Sequence, residues 1–174
     1  MKKTELPLKG LYLLEPKVFE DERGFFLESY NKQTMNDLGF HEEFVQDNRS
    51  MSYFNVLRGL HYQVGKPQAK LVQVINGEIT DTVLDTRLHS STYGEWYQVS
   101  LSGKAPQALW VPPGVAHGFV VRSDKADVVY KTTAPYSPKD ERTILWNSAG
   151  INWGLKFSPT VSQKDQQGNN FMPE

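Results

Sequence analysis

Between Lys70 and Asp85 the chain reads KLVQVINGEITDTVLD, two β-branched runs separated by Asn76-Gly77. Val, Ile and Thr at this density favour extended backbone, because a branched Cβ packs well on a pleated surface. Asn-Gly supplies the left-handed conformations of a tight turn, so the stretch predicts a β-hairpin. The same vocabulary recurs along the chain. Trp96 to Leu101, Ala108 to Val111, His117 to Val121 and Ala126 to Thr133 read as strands, with Pro112-Pro113-Gly114 as a tight turn. In Ala126 to Thr133, Val128 and Tyr130 share one face, and Val129 and Lys131 the other. Upstream, Leu6 to Pro16 reads as a first strand, Phe25 to Tyr30 as a strand after the turn Asp21 to Gly24, and Phe44 to Asn48 as a short strand. Asn31 to Leu38, with an N-cap asparagine and a following Gly39, is the best helix candidate. Roughly ten short strands separated by Gly, Pro and Asn turns predict an all-β sandwich or jelly roll with a few short helices. No repeat or linker breaks the chain, so one domain over 1–174 is expected; the polar tail from Asn147 carries no assignment.

Composition removes several function classes. Nineteen Lys and Arg face twenty Asp and Glu, a balance of −1. No global field therefore selects nucleic acid or an acidic membrane, and any anion binding must be local. The absence of cysteine excludes disulfides and thiolate metal sites. The start, MKKTELPLKG, has no apolar signal region, and no apolar run approaches about 18 residues. A cytoplasmic chain without membrane contact is the expectation.

The chemistry concentrates in Val56 to Lys70, VLRGLHYQVGKPQAK. A strand over Leu57 to Gln63 is unusually polar for a wall. Simple alternation points Arg58, Leu60 and Tyr62 one way and Leu57, His61 and Gln63 the other, and a hairpin brings Lys70 back beside them. A metal site on a small β-barrel asks for about three His and a carboxylate. Only four histidines occur, and His41 and His89 lie in polar runs expected at the surface. Where a His-x-His pair would place its second ligand stands Gln63, and Lys70 stands where a carboxylate would follow, so no metal is expected. The Gly-x-Ser-x-Gly elbow, cysteine nucleophile and glycine-rich nucleotide fingerprints are all missing. What remains is proton transfer by a histidine base, with a cation beside the oxyanion and a second acid.

FEDERGFFLESYN, FVQDNRS, LRGLHYQ, KLVQVINGEITDTVLDTR, LWVPPGVAHGF, VVYKTTAPYSPKDE and SQKD occur in that order. Together they resemble the dTDP-4-dehydrorhamnose 3,5-epimerase family of metal-free cupins, over about Phe19 to Asp165. The resemblance implies a cupin-type jelly roll (a double-stranded β-helix), no cofactor, a nucleotide-diphosphate sugar as substrate and a homodimer. It implies that His61 is the base, Asp165 its tautomer-fixing partner, Tyr130 the proton-returning acid and Lys70 the cation at the enolate oxygen. It also implies substrate contacts from Arg58, Arg23, Glu28, Gln46, Asn48, His117, Glu141 and Lys164, with Tyr136 stacking near the base. Arg23 and Glu28 are expected to serve the partner's site.

The implied reaction inverts C3, C5 or both on a nucleotide-linked 4-keto-6-deoxyhexose, converting dTDP-4-dehydro-6-deoxy-D-glucose to dTDP-4-dehydro-L-rhamnose. Two positions depart from the family pattern: Arg49 stands where many members have His, and Asn147 to Gly150 lacks the usual acidic residue. Both bear on nucleotide preference and on which carbons invert. A ketoisomerase on the same scaffold, a single-carbon epimerase and a non-catalytic sugar-nucleotide-binding jelly roll stay open as alternatives.

Overall fold

The computed structural model describes residues 1–171. Its elements are β1 (Lys2–Glu5), β2 (Tyr12–Glu15), β3 (Val18–Asp21), β4 (Gly24–Leu27), α1 (Lys32–Asp37), β5 (Gln46–Tyr53), β6 (Val56–Gln63), β7 (Lys70–Asn76) and β8 (Glu78–Asp85). Then come β9 (Trp96–Ser102), β10 (Ala108–Val111), β11 (Val115–Val121), β12 (Lys125–Thr132), β13 (Glu141–Thr143), β14 (Thr160–Val161) and α2 (Gln163–Gln166). One six-stranded sheet runs β1-β2-β10-β7-β12-β5. The facing sheet runs β13-β6-β11-β8-β9, with β14 alongside β6, and β3-β4 forms a separate ribbon. The architecture is the jelly roll expected. Among the described residues no helix is long and apolar enough to cross a membrane.

Two expected hairpins are absent, and the correction matters for the site. β7 pairs with β10 and β12, whereas β8 pairs with β11 and β9, so Asn76-Gly77 is a corner between sheets and not a hairpin turn. Gly77 has φ +81°, and a Cβ there would lie 2.1 Å from the Lys125 carbonyl oxygen, so only glycine fits this corner. β6 and β7 likewise lie in opposite sheets. Both expectations failed for one reason: a turn after a strand leads equally well to the neighbouring strand or across to the facing sheet, and packing against distant strands decides which.

The main core fills the space between the sheets, with Val72, Val74, Val83, Leu109, Phe119 and Val128 among its buried members. Val128 and Tyr130 share this inward face, as the alternation predicted. A second cluster, Leu57, Leu60, Leu84, Val120, Ile144 and Trp153, lies on the outer side of the β6 sheet. It gives the polar tail a role, since Ile151 and Trp153 come from there. A third holds Met35 of α1 and Phe40 against Trp110, with Phe40 and Trp110 rings 4.3 Å apart. The α1 expectation holds: Asn31 caps the backbone N–H groups of Gln33 and Thr34, and Gly39 adopts φ +87°. The first strand does not run through Leu6 to Pro16. Leu6 to Leu11 is a loop closed by Leu6 N–H to Leu11 O at 3.0 Å, anchored by buried Leu8 and Leu11. The strand expected over Phe25 to Tyr30 ends at Leu27, and that over Phe44 to Asn48 begins at Gln46 and continues to Tyr53.

Candidate active site

At one end of the barrel the inward-facing positions change from apolar to polar. β7 runs Val74, Val72, Lys70; β12 runs Val128, Tyr130, Thr132; β11 runs Phe119, His117. The polar ends of these strands, with Gln46 and Asn48 of β5 and Arg58, His61 and Gln63 of β6, line a cavity of about 660 Å³. Tyr136, Glu141, Lys164 and Asp165 complete it. That volume falls within the range of small-molecule sites.

β6 contributes to the cavity in a way that alternation does not foresee. His61 pairs with His117 and Arg58 with Phe119, so Gly59 and Leu60 oppose the single residue Gly118. This bulge inserts one residue and reverses the side-chain parity. Arg58, His61 and Gln63 therefore face the cavity, while Leu57, Leu60 and Tyr62 pack on the outer cluster. The expected grouping of Arg58 with Leu60 and Tyr62 is thus corrected. The strands touch at glycine: a Cβ on Gly59, at φ +111°, would sit 2.6 Å from Gly118 Cα.

His61 and Asp165 form a dyad, with His61 Nε2 2.6 Å from Asp165 Oδ1. The other carboxylate oxygen accepts the Gly59 N–H at 3.1 Å, and Ser162, the N-cap of α2, accepts the Asp165 N–H. Burial raises the Asp165 pKa, but the hydrogen bond and charge of His61 and the Gly59 N–H outweigh it and hold the carboxyl below its usual value. An ionised Asp165 accepts the Nε2 proton and leaves Nδ1 as the imidazole's lone-pair nitrogen.

Lys70 comes from the facing sheet and donates to the His61 carbonyl at 3.0 Å. Burial pulls its amine down to about 8, with Asp81 and Glu141 countering. Tyr130, on β12, is also across the cavity from His61; burial raises its phenol and keeps it protonated, with Arg58 opposing. At the mouth, Tyr136 donates to Glu141 at 2.7 Å, and Lys164 is ion-paired with the same carboxylate. Burial raises Glu141, yet Lys164 and Tyr136 bring it net below its usual value. Arg58 donates to Ser52 at 2.9 Å, Gln46 donates to Asn48 at 2.8 Å, and the Gln46 side-chain oxygen Oε1 accepts the Tyr136 N–H.

Eleven of the thirteen expected site residues line this cavity. Arg23 and Glu28 do not. Arg23 is exposed on the β3-β4 turn and ion-paired with Asp21, and Glu28 accepts from Asn31 and Thr34 at 3.0 and 3.1 Å. The two departures from the family pattern also lie elsewhere. Arg49 is on the outer face of β5, bound to Asp127 at 2.9 Å, and Ser148 caps Leu145 and Phe171 backbone groups. His41 and His89 are exposed, as expected. Sequence reading missed Asp81, fully buried and 2.7 Å from His117 Nε2. The signal was a carboxylate at an inward position between Ile79 and Val83. Among the described residues no three His, Cys, Asp or Glu side chains gather as a metal cluster.

Residues 5–172 match the family model for dTDP-4-dehydrorhamnose 3,5-epimerase. The chain belongs to that family. The dTDP-4-dehydrorhamnose 3,5-epimerase of Salmonella typhimurium is 50% identical over 94% of this chain and 90% of its own. That of Pseudomonas aeruginosa is 46% identical over 98% and 96%. Among solved structures, the Legionella pneumophila dTDP-6-deoxy-D-glucose-3,5-epimerase, in complex with dTDP-4-keto-L-rhamnose, superposes with a TM-score of 0.94 at 42% identity, covering 97% of this chain and 92% of that one.

Proposed function

We propose that this family member inverts C3 and C5 of dTDP-4-dehydro-6-deoxy-D-glucose, giving dTDP-4-dehydro-L-rhamnose, without a cofactor. The observation that carries the reading is that the His61–Asp165 dyad and the pair Lys70 and Tyr130 enter one cavity from opposite sheets. The C4 ketone acidifies the neighbouring C–H bonds. His61 Nδ1 takes the proton, the C–H electron pair becomes the enolate double bond, and the carbonyl pair moves onto O4. Lys70 donates to His61 O and has further N–H groups for that oxygen, where a preorganised cation supplies several kcal/mol. Tyr130 then delivers its proton to the opposite face, the enolate double-bond pair forming the new C–H bond as the O4 pair re-forms the carbonyl; solvent takes the proton from the His61 imidazolium and restores the phenol. The same cycle at the second carbon completes the reaction.

Arg58 suits the pyrophosphate through its forked donors. His117, Gln46, Asn48, Glu141 and Lys164 bind the rest of the nucleotide sugar, and Tyr136 stacks beside it. The reading includes a single cupin-like domain over residues 1–174, of which 172–174 lie outside the described residues, and a cytoplasmic location. It also includes a homodimer. Edge strand β5 and ribbon β3-β4 expose Met51, Tyr53, Phe25 and Phe26, an apolar surface suited to a second copy, through which Arg23 and Glu28 would reach the partner's cavity.

Incubation with dTDP-4-dehydro-6-deoxy-D-glucose in deuterium oxide, followed by NMR, tests the reading. Deuterium at C3 and C5 with inverted product is expected, and His61→Asn should abolish both. Deuterium at one carbon only indicates a single-carbon epimerase, a 3-keto product a ketoisomerase, and binding without exchange a non-catalytic module.

A further inference from the structure

Lys70 and Asp81 face the same interior from opposite sheets. Asp81 has no exposure, and its Oδ2 accepts from His117 at 2.7 Å. Its Oδ1 is buried with no hydrogen-bond partner. A buried carboxylate oxygen without a donor is costly, and a nearby positive charge is what offsets it. His117 pairs with His61 across β6 and β11, and the Lys70 ammonium rests on the His61 carbonyl, which brings Lys70 near enough to the buried Asp81–His117 pair for the Asp81 charge to act on it. The other charged groups facing Lys70 are already engaged or distant in role. On β6, His61 is held by Asp165 of α2; at the mouth, Glu141 of β13 is held by Lys164 of α2; Arg58 of β6 adds positive charge; and β12 offers the neutral phenol of Tyr130. β5 presents the amides of Gln46 and Asn48, and Val111 pairs with Lys70 from β10.

We infer that Asp81, held by His117, is a positioning residue that serves as the counter-charge keeping the buried Lys70 protonated for its work at O4. The inference rests on Lys70 being the enolate cation. Before deprotonation Asp81 balances the ammonium; as O4 gains charge, the substrate takes over that balance. Burial raises the Asp81 carboxyl above its usual value, and the charge and hydrogen bond of His117 with the charge of Lys70 offset part of that.

The test compares the pH dependence of kcat/KM in wild type and Asp81→Asn, with dTDP binding measured by calorimetry. In wild type the alkaline limb should lie near Lys70's value of about 8. Loss of a close opposite charge should move it down by about one unit, giving roughly tenfold loss at about pH 9 and less than twofold at about pH 6.5. dTDP affinity should not change. The Lys70 ε-carbon NMR titration should move by the same amount, independently of turnover. An unmoved limb and titration, or an equal loss at every pH, overturns the inference. Lys70→Met separates the two readings. If it turns over normally, the enolate-cation assignment itself fails; if it is inactive while the Asp81→Asn limb stays in place, only the role of Asp81 fails. Should Asp81→Asn not fold, carboxyl-carbon NMR of the wild type decides: Asp81 ionised across about pH 6 to 9 supports the inference, and a protonated Asp81 refutes it.

Discussion

Replacing Asp165 by Asn should harm catalysis more than deleting it, and the Gly59 amide is the reason. In wild type the carboxylate accepts from His61 Nε2 at 2.6 Å and from the Gly59 N–H at 3.1 Å. An asparagine has one acceptor oxygen, and Gly59 can only donate, so the oxygen turns to Gly59 and the NH2 to His61. Nε2 must then accept, the proton moves to Nδ1, and the cavity-side nitrogen loses its lone pair. Restoring the basic tautomer opposes two N–H groups, at about 1–3 kcal/mol, and the charge-assisted support of the imidazolium, about 1.5–3 kcal/mol, is also gone. At 1.36 kcal/mol per tenfold, Asp165→Asn should lose about 10²–10⁴ in exchange rate. Asp165→Ala loses only the second contribution, about 10–10²-fold, because its imidazole tautomer is unbiased. Stability should rank the other way, since Ala leaves the buried Gly59 N–H unpaired at about 1–3 kcal/mol. Deuterium wash-in at C3 and C5, corrected for folded fraction, gives the first ranking, and urea titration gives the second. An Asn variant as active as the Ala variant would refute the tautomer argument.

Tyr130→Phe should still wash deuterium into the substrate while forming inverted product about 10²–10⁴-fold more slowly, read from one NMR time course; equal loss of exchange and inversion would place the phenol in enolate formation instead. Gly59→Ala should destabilise by about 2 kcal/mol or more, because φ is +111° and the new methyl would lie 2.6 Å from Gly118 Cα and 2.8 Å from the His117 carbonyl oxygen. Denaturant midpoints measure it, and a change below about 0.5 kcal/mol would mean the strands part easily.

Strand content was legible because it depends on local composition: β-branched runs and Gly or Pro turns read the same in sequence and in structure. Pairing was not, since Asn76-Gly77 serves equally as a hairpin turn or as a corner between sheets, and distant packing chooses. The α1 caps are local and were read correctly. Asp165 was found through resemblance alone, as a tail residue 104 positions from its histidine shows no periodicity that could locate it. Asp81 was overlooked because a single carboxylate among strand formers reads as solvent-facing. The faces of β6 were misassigned because an extra residue leaves no compositional mark.

That extra residue makes β6 a strand of two phases. Arg58 and His61, three apart, share a side, as do Leu57 and Leu60, a spacing that belongs to helices elsewhere. Deleting either Gly59 or Leu60 would leave one residue opposite Gly118, with Arg58 still opposite Phe119 and His61 opposite His117, so both side chains would stay on the cavity side. What the extra residue provides is a surplus backbone amide: the Gly59 N–H is given to Asp165 and the Leu60 N–H to the Ile144 carbonyl, so a shortened strand should keep its imidazole in place and lose one of these two anchors.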